Sequence, residues 1–102
     1  MSTPEGKVKN AVKKQLKALG FYQFWPVQTG MGAKTVDCLA CGGGRFVGIE
    51  TKAPGKRPTP LQEVTLTKIA EAGGITLVID SVDMAMSLPE LLNVAGSPLT
   101  RT

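Results

Sequence analysis

The stretch TVDCLACGGGRFVGIETK, residues 35–52, decides the fold of this chain. It contains two runs of apolar and β-branched residues separated by three consecutive glycines at 42–44, which is the pattern of two strands joined by a tight turn. We therefore predict a β-hairpin that turns at these glycines. The glycines lack the Lys-Ser/Thr pair and the following helix of a phosphate-binding P-loop, so a turn is the better interpretation.

Before the hairpin, the sequence predicts one helix and one strand. Residues 4–19 carry apolar side chains at the three- and four-residue spacing of an amphipathic helix, and Gly20 follows as a terminator. The aromatic run FYQFWPVQ at 21–28 predicts a strand, in which Pro26 indicates an edge position or a bulge. A flexible loop at 29–34 then leads into the hairpin.

After the hairpin, the sequence predicts a helix, a buried strand and a last helix. The second helix covers about 60–72 and ends at a pair of glycines, and the run ITLVID at 75–80 follows it. A last helical stretch covers about 83–94, although Pro89 lies inside it and a new turn can begin at 87–90. The order α-β-β-β-α-β-α predicts an α/β fold, in which a mixed central sheet is flanked by helices and the hairpin is followed by a helical crossover to a parallel strand. The tail at 96–102 is expected to fray.

Composition limits the protein further. With 102 residues, the chain is expected to form one domain over 1–102, with a core at about 4–83. Twelve Lys and Arg against eight Asp and Glu give a net charge of +4, which suits a polyanionic partner without requiring one. The chain has no histidine, which excludes catalysis by Ser/His or Cys/His pairs and zinc sites with histidine ligands. No run has the apolar length of a signal peptide or membrane span, so we expect a cytoplasmic protein of a bacterial host or a phage-infected cell.

The two cysteines have the C-x-x-C spacing of some redox and zinc sites. In a strand, however, residues three apart point to opposite faces, and no helix begins after Cys41 to lower a thiol pKa. We therefore expect Cys38 and Cys41 to have no redox or metal role, and a thiol redox protein is the weakest functional hypothesis.

Charged residues on the hairpin are the candidates for chemistry. Glu50 and Lys52 are two apart in a strand and therefore share a face, and a hairpin register can bring Asp37 beside Glu50. Two carboxylates with a backbone carbonyl form the hard oxygen site that Mg²⁺ or Mn²⁺ prefers. The alternative is that all three side chains are ordinary solvent-facing charges, because D…ExK is a short and common pattern.

The order of these features resembles the core of the PD-(D/E)XK nucleases, and more specifically the viral-type replication and repair (VRR-Nuc) branch. The similarity covers roughly residues 4–83: a glycine-rich loop, an Asp-bearing strand, a strand with Glu-x-Lys, a helix headed by glutamine and a strand after AGG. The resemblance implies a restriction-endonuclease-like fold that binds Mg²⁺, with Mn²⁺ able to replace it. It also implies roles for individual residues: Asp37, Glu50, the Thr51 carbonyl and Glu5 as metal ligands, Lys52 as the catalytic lysine, and Gln62 as an accessory catalytic residue. Val36 stands where the family motif has proline, but it can hold the same extended backbone.

Two of these residues have an equally good structural explanation. Glu5 lies in the first turn of the first helix, where a carboxylate favours the helix dipole and can form a capping box with Ser2, although Thr3 is also a possible cap. Gln62 follows Thr59 by three residues, which is itself a capping-box spacing. For Glu5 and for Gln62, a role in the site and a role in helix capping are both possible from the sequence.

Basic residues provide candidate contacts to a phosphate backbone. We predict that loop residues around the proposed site bind nucleic acid, together with part of the basic face of the first helix: Lys34, Arg45, Lys56 and Arg57 on the loops, and Lys13 and Lys14 on the helix.

The leading functional hypothesis is a Mg²⁺-dependent DNA endonuclease. Small stand-alone members of the resembled family are phage or prophage proteins that cut branched DNA, including four-way (Holliday) junctions, as homodimers. A two-fold dimer also presents two sites to two related strands, and its interface is expected to use either the aromatic strand FYQFW or the C-terminal stretch. The rival hypothesis is a non-catalytic module that binds nucleic acid through the same basic surface.

Overall fold

The computed structural model describes residues 3–27 and 35–95. A four-stranded mixed sheet is flanked by helices, which confirms the predicted fold class. The elements in chain order are α1 Pro4–Ala18, β1 Tyr22–Phe24, β2 Cys38–Gly42, β3 Arg45–Thr51, α2 Pro60–Glu71, β4 Ile75–Ile79, α3 Val82–Met86 and α4 Leu88–Ala95. The predicted loop at 29–34 and the predicted frayed tail at 96–102 lie outside the described residues.

The hairpin forms where the glycines predict it. Strands β2 and β3 pair antiparallel from Cys38 opposite Ile49 to Gly42 opposite Arg45. The two residues between them, Gly43 and Gly44, have φ angles of +58° and +76°. Side chains with a Cβ rarely adopt this region, so the glycines allow the tight two-residue turn.

The sheet has the order β1-β2-β3-β4, so β1 lies at one edge as Pro26 indicates. Strand β4 pairs parallel with β3 after the crossover through α2, and its last residue, Ile79, lies opposite Thr51. β3 is therefore a central strand with an antiparallel neighbour on one side and a parallel neighbour on the other. Pairing with β2 ends at Ile49, so among the described strands only β4 pairs with the last two residues of β3, Glu50 and Thr51.

The core lies between one face of the sheet and helices α1, α3 and α4. Burial of this apolar surface is the main stabilising contribution to the fold. The fully buried members include Val8, Val12 and Leu16 of α1, Val47 and Ile49 of β3, and Leu88 and Leu92 of α4.

The opposite sheet face is only partly covered by α2. The Ile69 side chain of α2 lies against Gly48 and Gly74, where an added Cβ would come within 2.8 and 2.7 Å of it. Leu66 is buried, whereas Leu61 and Val64, which belong to the apolar pattern that predicts this helix, are 72% and 49% exposed.

The last helical stretch predicted at about 83–94 forms as two helices, and the start of α4 at Leu88 confirms that a new turn begins at 87–90. α3 ends at Met86, and Ser87 separates it from α4. Pro89 explains the division: proline has no N–H to donate and its ring clashes with the carbonyl four residues earlier, yet it fits the first turn of a new helix. Within residues 3–27 and 35–95, no helix is long and apolar enough to cross a membrane.

Candidate functional site

The hairpin register brings Asp37 and Glu50 together, as the sequence predicts. Cys38 pairs with Ile49, so Asp37, which precedes Cys38, lies beside Glu50, which follows Ile49. The backbone N–H of Asp37 donates a hydrogen bond to Glu50 Oε1 at 3.2 Å. The two carboxylates therefore lie at the same end of the sheet, where β2 begins and β3 ends.

Thr51 holds the carboxylate of Asp37. Its backbone N–H donates to Asp37 Oδ2 at 3.0 Å, and its hydroxyl donates to the same oxygen at 2.8 Å. The Thr51 side chain is fully buried. The resemblance implies a role only for the carbonyl of Thr51, and its hydroxyl is an additional contact; the hairpin register, which places residue 51 next to the start of β2, is the signal that could predict it.

Glu50 is a buried carboxylate with one oxygen unsatisfied. The residue is only 1% exposed, and its Oε2 accepts no hydrogen bond. The nearest cation is Lys52, whose Nζ lies 3.5 Å from Oε2. Burial and the negative charge of Asp37 raise the pKa of Glu50 to about 6, while Lys52 and the Asp37 N–H act in the opposite direction.

Lys52 shares the face of Glu50, as the two-residue period predicts. Its side chain is 15% exposed, so the ammonium group reaches the edge of the site rather than open solvent. Its backbone N–H donates to the Ile79 carbonyl at 2.9 Å, which extends the pairing with β4 by one residue. The lysine is therefore anchored at its backbone while its amine remains close to the carboxylate.

The residues at this site fit a divalent cation. The Lys52 ammonium compensates only part of the charge of this buried carboxylate oxygen, because burial and Asp37 still raise the pKa of Glu50, and oxygen ligands are those that Mg²⁺ prefers. Among the residues that the structure describes, however, no three His, Cys, Asp or Glu side chains gather into a metal-binding group. Asp37 and Glu50 thus form a pair, and Glu5 does not join them.

Glu5 lies in the first turn of α1 and is partly buried. The cap of this helix is Thr3, whose hydroxyl accepts a hydrogen bond from the Gly6 N–H at 2.9 Å, while Ser2 lies outside the described residues. After the end of α1, the ring of Phe21 packs on Gly42 beside the hairpin turn. α1 therefore begins toward the end of the sheet that carries Asp37, which keeps a role for Glu5 as a proposal.

Gln62 forms the capping box that its spacing predicts. Its side-chain oxygen accepts from the Thr59 N–H at 2.8 Å, and its own N–H donates to the Thr59 hydroxyl at 3.3 Å. These two bonds satisfy backbone donors at the start of α2. The structural explanation of Gln62 is confirmed, and its part in catalysis remains a prediction.

The predicted nucleic-acid contacts differ in their distance from the carboxylates. Lys56 and Arg57 are exposed on the loop that follows Lys52. Arg45, in contrast, begins β3, so it lies about 20 Å along the strand from its end. The prediction that Arg45 lies around the site is therefore wrong.

The remaining basic candidates lie on α1 or outside the described residues. Lys13 and Lys14 are exposed, and Lys13 Nζ lies 5.1 Å from the centre of the Trp25 ring, which is a cation–π distance. Lys34 lies outside the described residues. Contact of Lys13, Lys14 and Lys34 with nucleic acid remains a prediction.

The two cysteines are free thiols on opposite faces of β2. Cys38 is buried and Cys41 is exposed, as their spacing in a strand predicts. Burial raises the pKa of Cys38 to about 12. A thiol with so high a pKa forms little thiolate at neutral pH, so it is a poor nucleophile and a poor metal ligand.

No family model matches the chain, but it is similar to a curated protein and to solved structures, of which one of each is described here. The first is "Putative nuclease p44" of Acyrthosiphon pisum secondary endosymbiont phage 1, which is 26% identical over 85 residues, or 83% of this chain and 91% of that protein. The second is a solved structure described as a VRR_NUC domain, with a TM-score of 0.75 and 24% identity over 87% of this chain and 97% of that one. The chain therefore has the VRR_NUC domain fold, which confirms the resemblance found in its sequence.

Proposed function

We propose that this protein is a Mg²⁺-dependent DNA endonuclease. The observation that carries the proposal is the buried carboxylate of Glu50: its Oε1 accepts a hydrogen bond from the Asp37 N–H, and its Oε2 accepts none and lies 3.5 Å from the amine of Lys52. The nuclease name of the phage relative and the VRR_NUC fold support the same class of activity.

The chemistry follows from the residue types. Asp37, Glu50 and the Thr51 carbonyl would hold the cation, which supplies Lewis-acid stabilisation of the phosphate charge and a more acidic water. Lys52 would position that water or stabilise negative charge on the phosphate, because its ammonium donates hydrogen bonds and stays near the carboxylates. Lys56 and Arg57 would bind the flanking phosphates through their positive charge.

A cleavage assay tests the proposal. A labelled four-way junction is incubated with the protein in Mg²⁺, in Mn²⁺ and in EDTA, and we expect cuts only with the metals. Asp37→Ala and Lys52→Ala should each lower cleavage at least about 100-fold, since each removes a group that acts in the transition state. Lys68→Ala, which removes an exposed lysine from α2, is the control and should cleave normally.

The rival hypothesis of a non-catalytic binding module predicts the opposite result. Such a module would shift the junction in a gel equally with Mg²⁺ and EDTA and would leave every strand intact. Metal-dependent cleavage that survives in both Asp37→Ala and Lys52→Ala would instead show that another site, or a contaminating nuclease, makes the cuts.

We also propose that the working unit is a homodimer that acts on branched DNA. The strand β1 at the sheet edge carries two exposed aromatic side chains, Tyr22 at 72% and Phe24 at 52%. Tyr22 pairs with Cys41, which pairs with Phe46, itself 46% exposed, so one row of side chains crosses three strands.

This surface, which we call the β1 patch, is a shallow groove of about 440 Å³ whose lining contains no charged side chain. Its members are Tyr22, Phe24, Leu39, Ala40, Cys41 and Phe46. An uncharged aromatic patch has no charge that attracts phosphates but suits a second copy of itself, and among the described strands β1 has a neighbour on one side only. Of the two interfaces predicted, these observations favour the aromatic strand.

Sedimentation velocity tests the dimer. We expect the wild-type protein to sediment as a dimer of about twice 10.7 kDa, and Phe24→Asp to sediment as a monomer, because an interface cannot bury an unpaired charge cheaply. Leu61→Asp places the same charge at another exposed apolar position, on α2, and should stay dimeric. A monomeric wild-type protein at micromolar concentration would refute the dimer but not the nuclease.

A further inference from the structure

Thr51 donates two hydrogen bonds to the carboxylate of Asp37 beside the proposed cation site. Both donors of Thr51 end on one oxygen of Asp37, the amide at 3.0 Å and the hydroxyl at 2.8 Å. These bonds leave the other carboxylate oxygen, Oδ1, for a different partner. Asp37 in turn donates its N–H to Oε1 of Glu50, so the oxygen of Glu50 that remains is the buried Oε2.

The hydroxyl of Thr51 has a fixed position. The side chain is fully buried, and a β-branched residue in a strand has little χ1 freedom. The backbone on which it sits is paired with Ile79 of β4, and the next N–H is bonded to the Ile79 carbonyl. Asp37, in contrast, precedes β2 and has no strand pairing of its own within the described sheet. Thr51, which is held in the strand, therefore orients the carboxylate of Asp37, which is less constrained.

We propose that the Thr51 hydroxyl is the positioning group for Asp37 as a cation ligand. It fixes the carboxylate through Oδ2, so that Oδ1 is left to bind a cation together with Glu50, without prior reorganisation of the Asp37 side chain. The inference rests on the proposed metal dependence. It assigns to the Thr51 side chain a role separate from that of its backbone carbonyl.

A purely structural role is the competing explanation. In that case the hydroxyl would only satisfy a partly buried carboxylate, and its loss would lower the stability of the metal-free fold without changing the intrinsic affinity for a cation. Hydrogen bonds behind a ligand behave differently, since their removal typically weakens metal binding about 10- to 100-fold. Metal affinity and metal-free stability therefore separate the two explanations.

The test compares Thr51→Val with Thr51→Ser. Valine keeps the branched shape and removes only the hydroxyl, whereas serine keeps the hydroxyl and removes a methyl group. Isothermal titration with Mn²⁺ gives the affinity directly, without DNA or turnover. We expect Thr51→Val to bind Mn²⁺ about 10- to 100-fold more weakly than the wild-type protein, and Thr51→Ser to remain within about threefold of it.

The same variants are assayed for cleavage over a range of Mg²⁺ concentrations. Thr51→Val should need correspondingly more Mg²⁺ for half-maximal cleavage, and Thr51→Ser should restore the wild-type requirement. If Thr51→Val does not fold, Thr51→Ala removes the same hydroxyl with a smaller side chain and is measured in its place.

The inference is wrong if Thr51→Val, or Thr51→Ala in its place, binds Mn²⁺ with the affinity of the wild-type protein. It is also wrong if Thr51→Ser binds Mn²⁺ as weakly as Thr51→Val does. The proposed function fails separately: in that case the wild-type protein itself would bind no Mn²⁺ and cut no DNA.

Discussion

Glu50→Gln should stabilise the metal-free protein while it removes metal binding. The side chain is 1% exposed, and its Oε2 has no hydrogen-bond partner. Burial and Asp37 raise the pKa of Glu50 from an ordinary value of 4.5 to about 6. The folded state therefore disfavours the ionised form of this group, and a neutral amide of the same shape avoids that penalty.

The size and sign of the effect follow from linkage between protonation and folding. The difference between 4.5 and about 6 corresponds to about 2 kcal/mol of the free energy of unfolding. Because the folded pKa is the higher one, the penalty is absent below about pH 4.5 and complete above about pH 6. We expect Glu50→Gln to match the wild-type protein at pH 4 and to exceed it by up to about 2 kcal/mol at pH 8.

Urea unfolding in EDTA at several pH values between 4 and 8 measures this difference. A gain of about 2 kcal/mol corresponds to a thermal midpoint about 10 °C higher in a domain of this size. Glu71→Gln, which neutralises an exposed carboxylate at the end of α2, is the matched control and should change stability by less than about 0.5 kcal/mol at every pH. Added Mg²⁺ should stabilise the wild-type protein and the control but not Glu50→Gln.

A Glu50→Gln protein that is less stable than the wild type at pH 8 would refute this reasoning. It would mean that the ion pair with Lys52 outweighs the loss of hydration, so that Glu50 serves the fold without a cation. A stability difference that is independent of pH would refute it in another way, because the difference would then not come from the ionisation of Glu50.

One labelling experiment and two substitutions test other parts of the fold. In the native protein Cys41 should react quickly with a disulfide reagent such as Ellman's reagent, while Cys38, buried and with a pKa of about 12, should react only as fast as the protein unfolds. Gly42→Ala should cost about 1–3 kcal/mol in urea unfolding, since its Cβ would lie 2.5 Å from the Phe21 ring. Thr59→Ala should cost about 1 kcal/mol by the same measurement, because it removes the acceptor for the first turn of α2.

Much of the fold is predictable from local sequence because local physics determines it. The glycines at 42–44 determine where the hairpin turns, and the two-residue period of a strand then fixes which side chains share a face. Together they predict that Asp37 meets Glu50 and that Lys52 joins them. Caps and terminators such as Thr59 act within one helical turn and can also be read directly.

The rest of the site depends on contacts that no local pattern specifies. The hydroxyl of Thr51, at the end of β3, donates a hydrogen bond to Asp37, which precedes β2. Only the three-dimensional structure shows that the two side chains lie within hydrogen-bond distance. Arg45 is five residues from Glu50 in the sequence, yet an extended strand takes it to the other end of the sheet. Glu5 lies in the first turn of α1, but whether it reaches the carboxylates depends on how α1 packs, and among the described residues it does not join Asp37 and Glu50 in a group of three.

The site lies where the sheet changes from antiparallel to parallel pairing, and this position explains how a buried carboxylate is tolerated. Antiparallel pairing with β2 brings Asp37 beside Glu50, while parallel pairing with β4 holds the end of β3 rigid through Ile79. A flexible strand end would relieve the unsatisfied oxygen of Glu50 by turning it toward water. Because β4 pairs with Glu50 and Thr51, the oxygen stays buried, and binding of the proposed cation would compensate the free energy that the fold loses there.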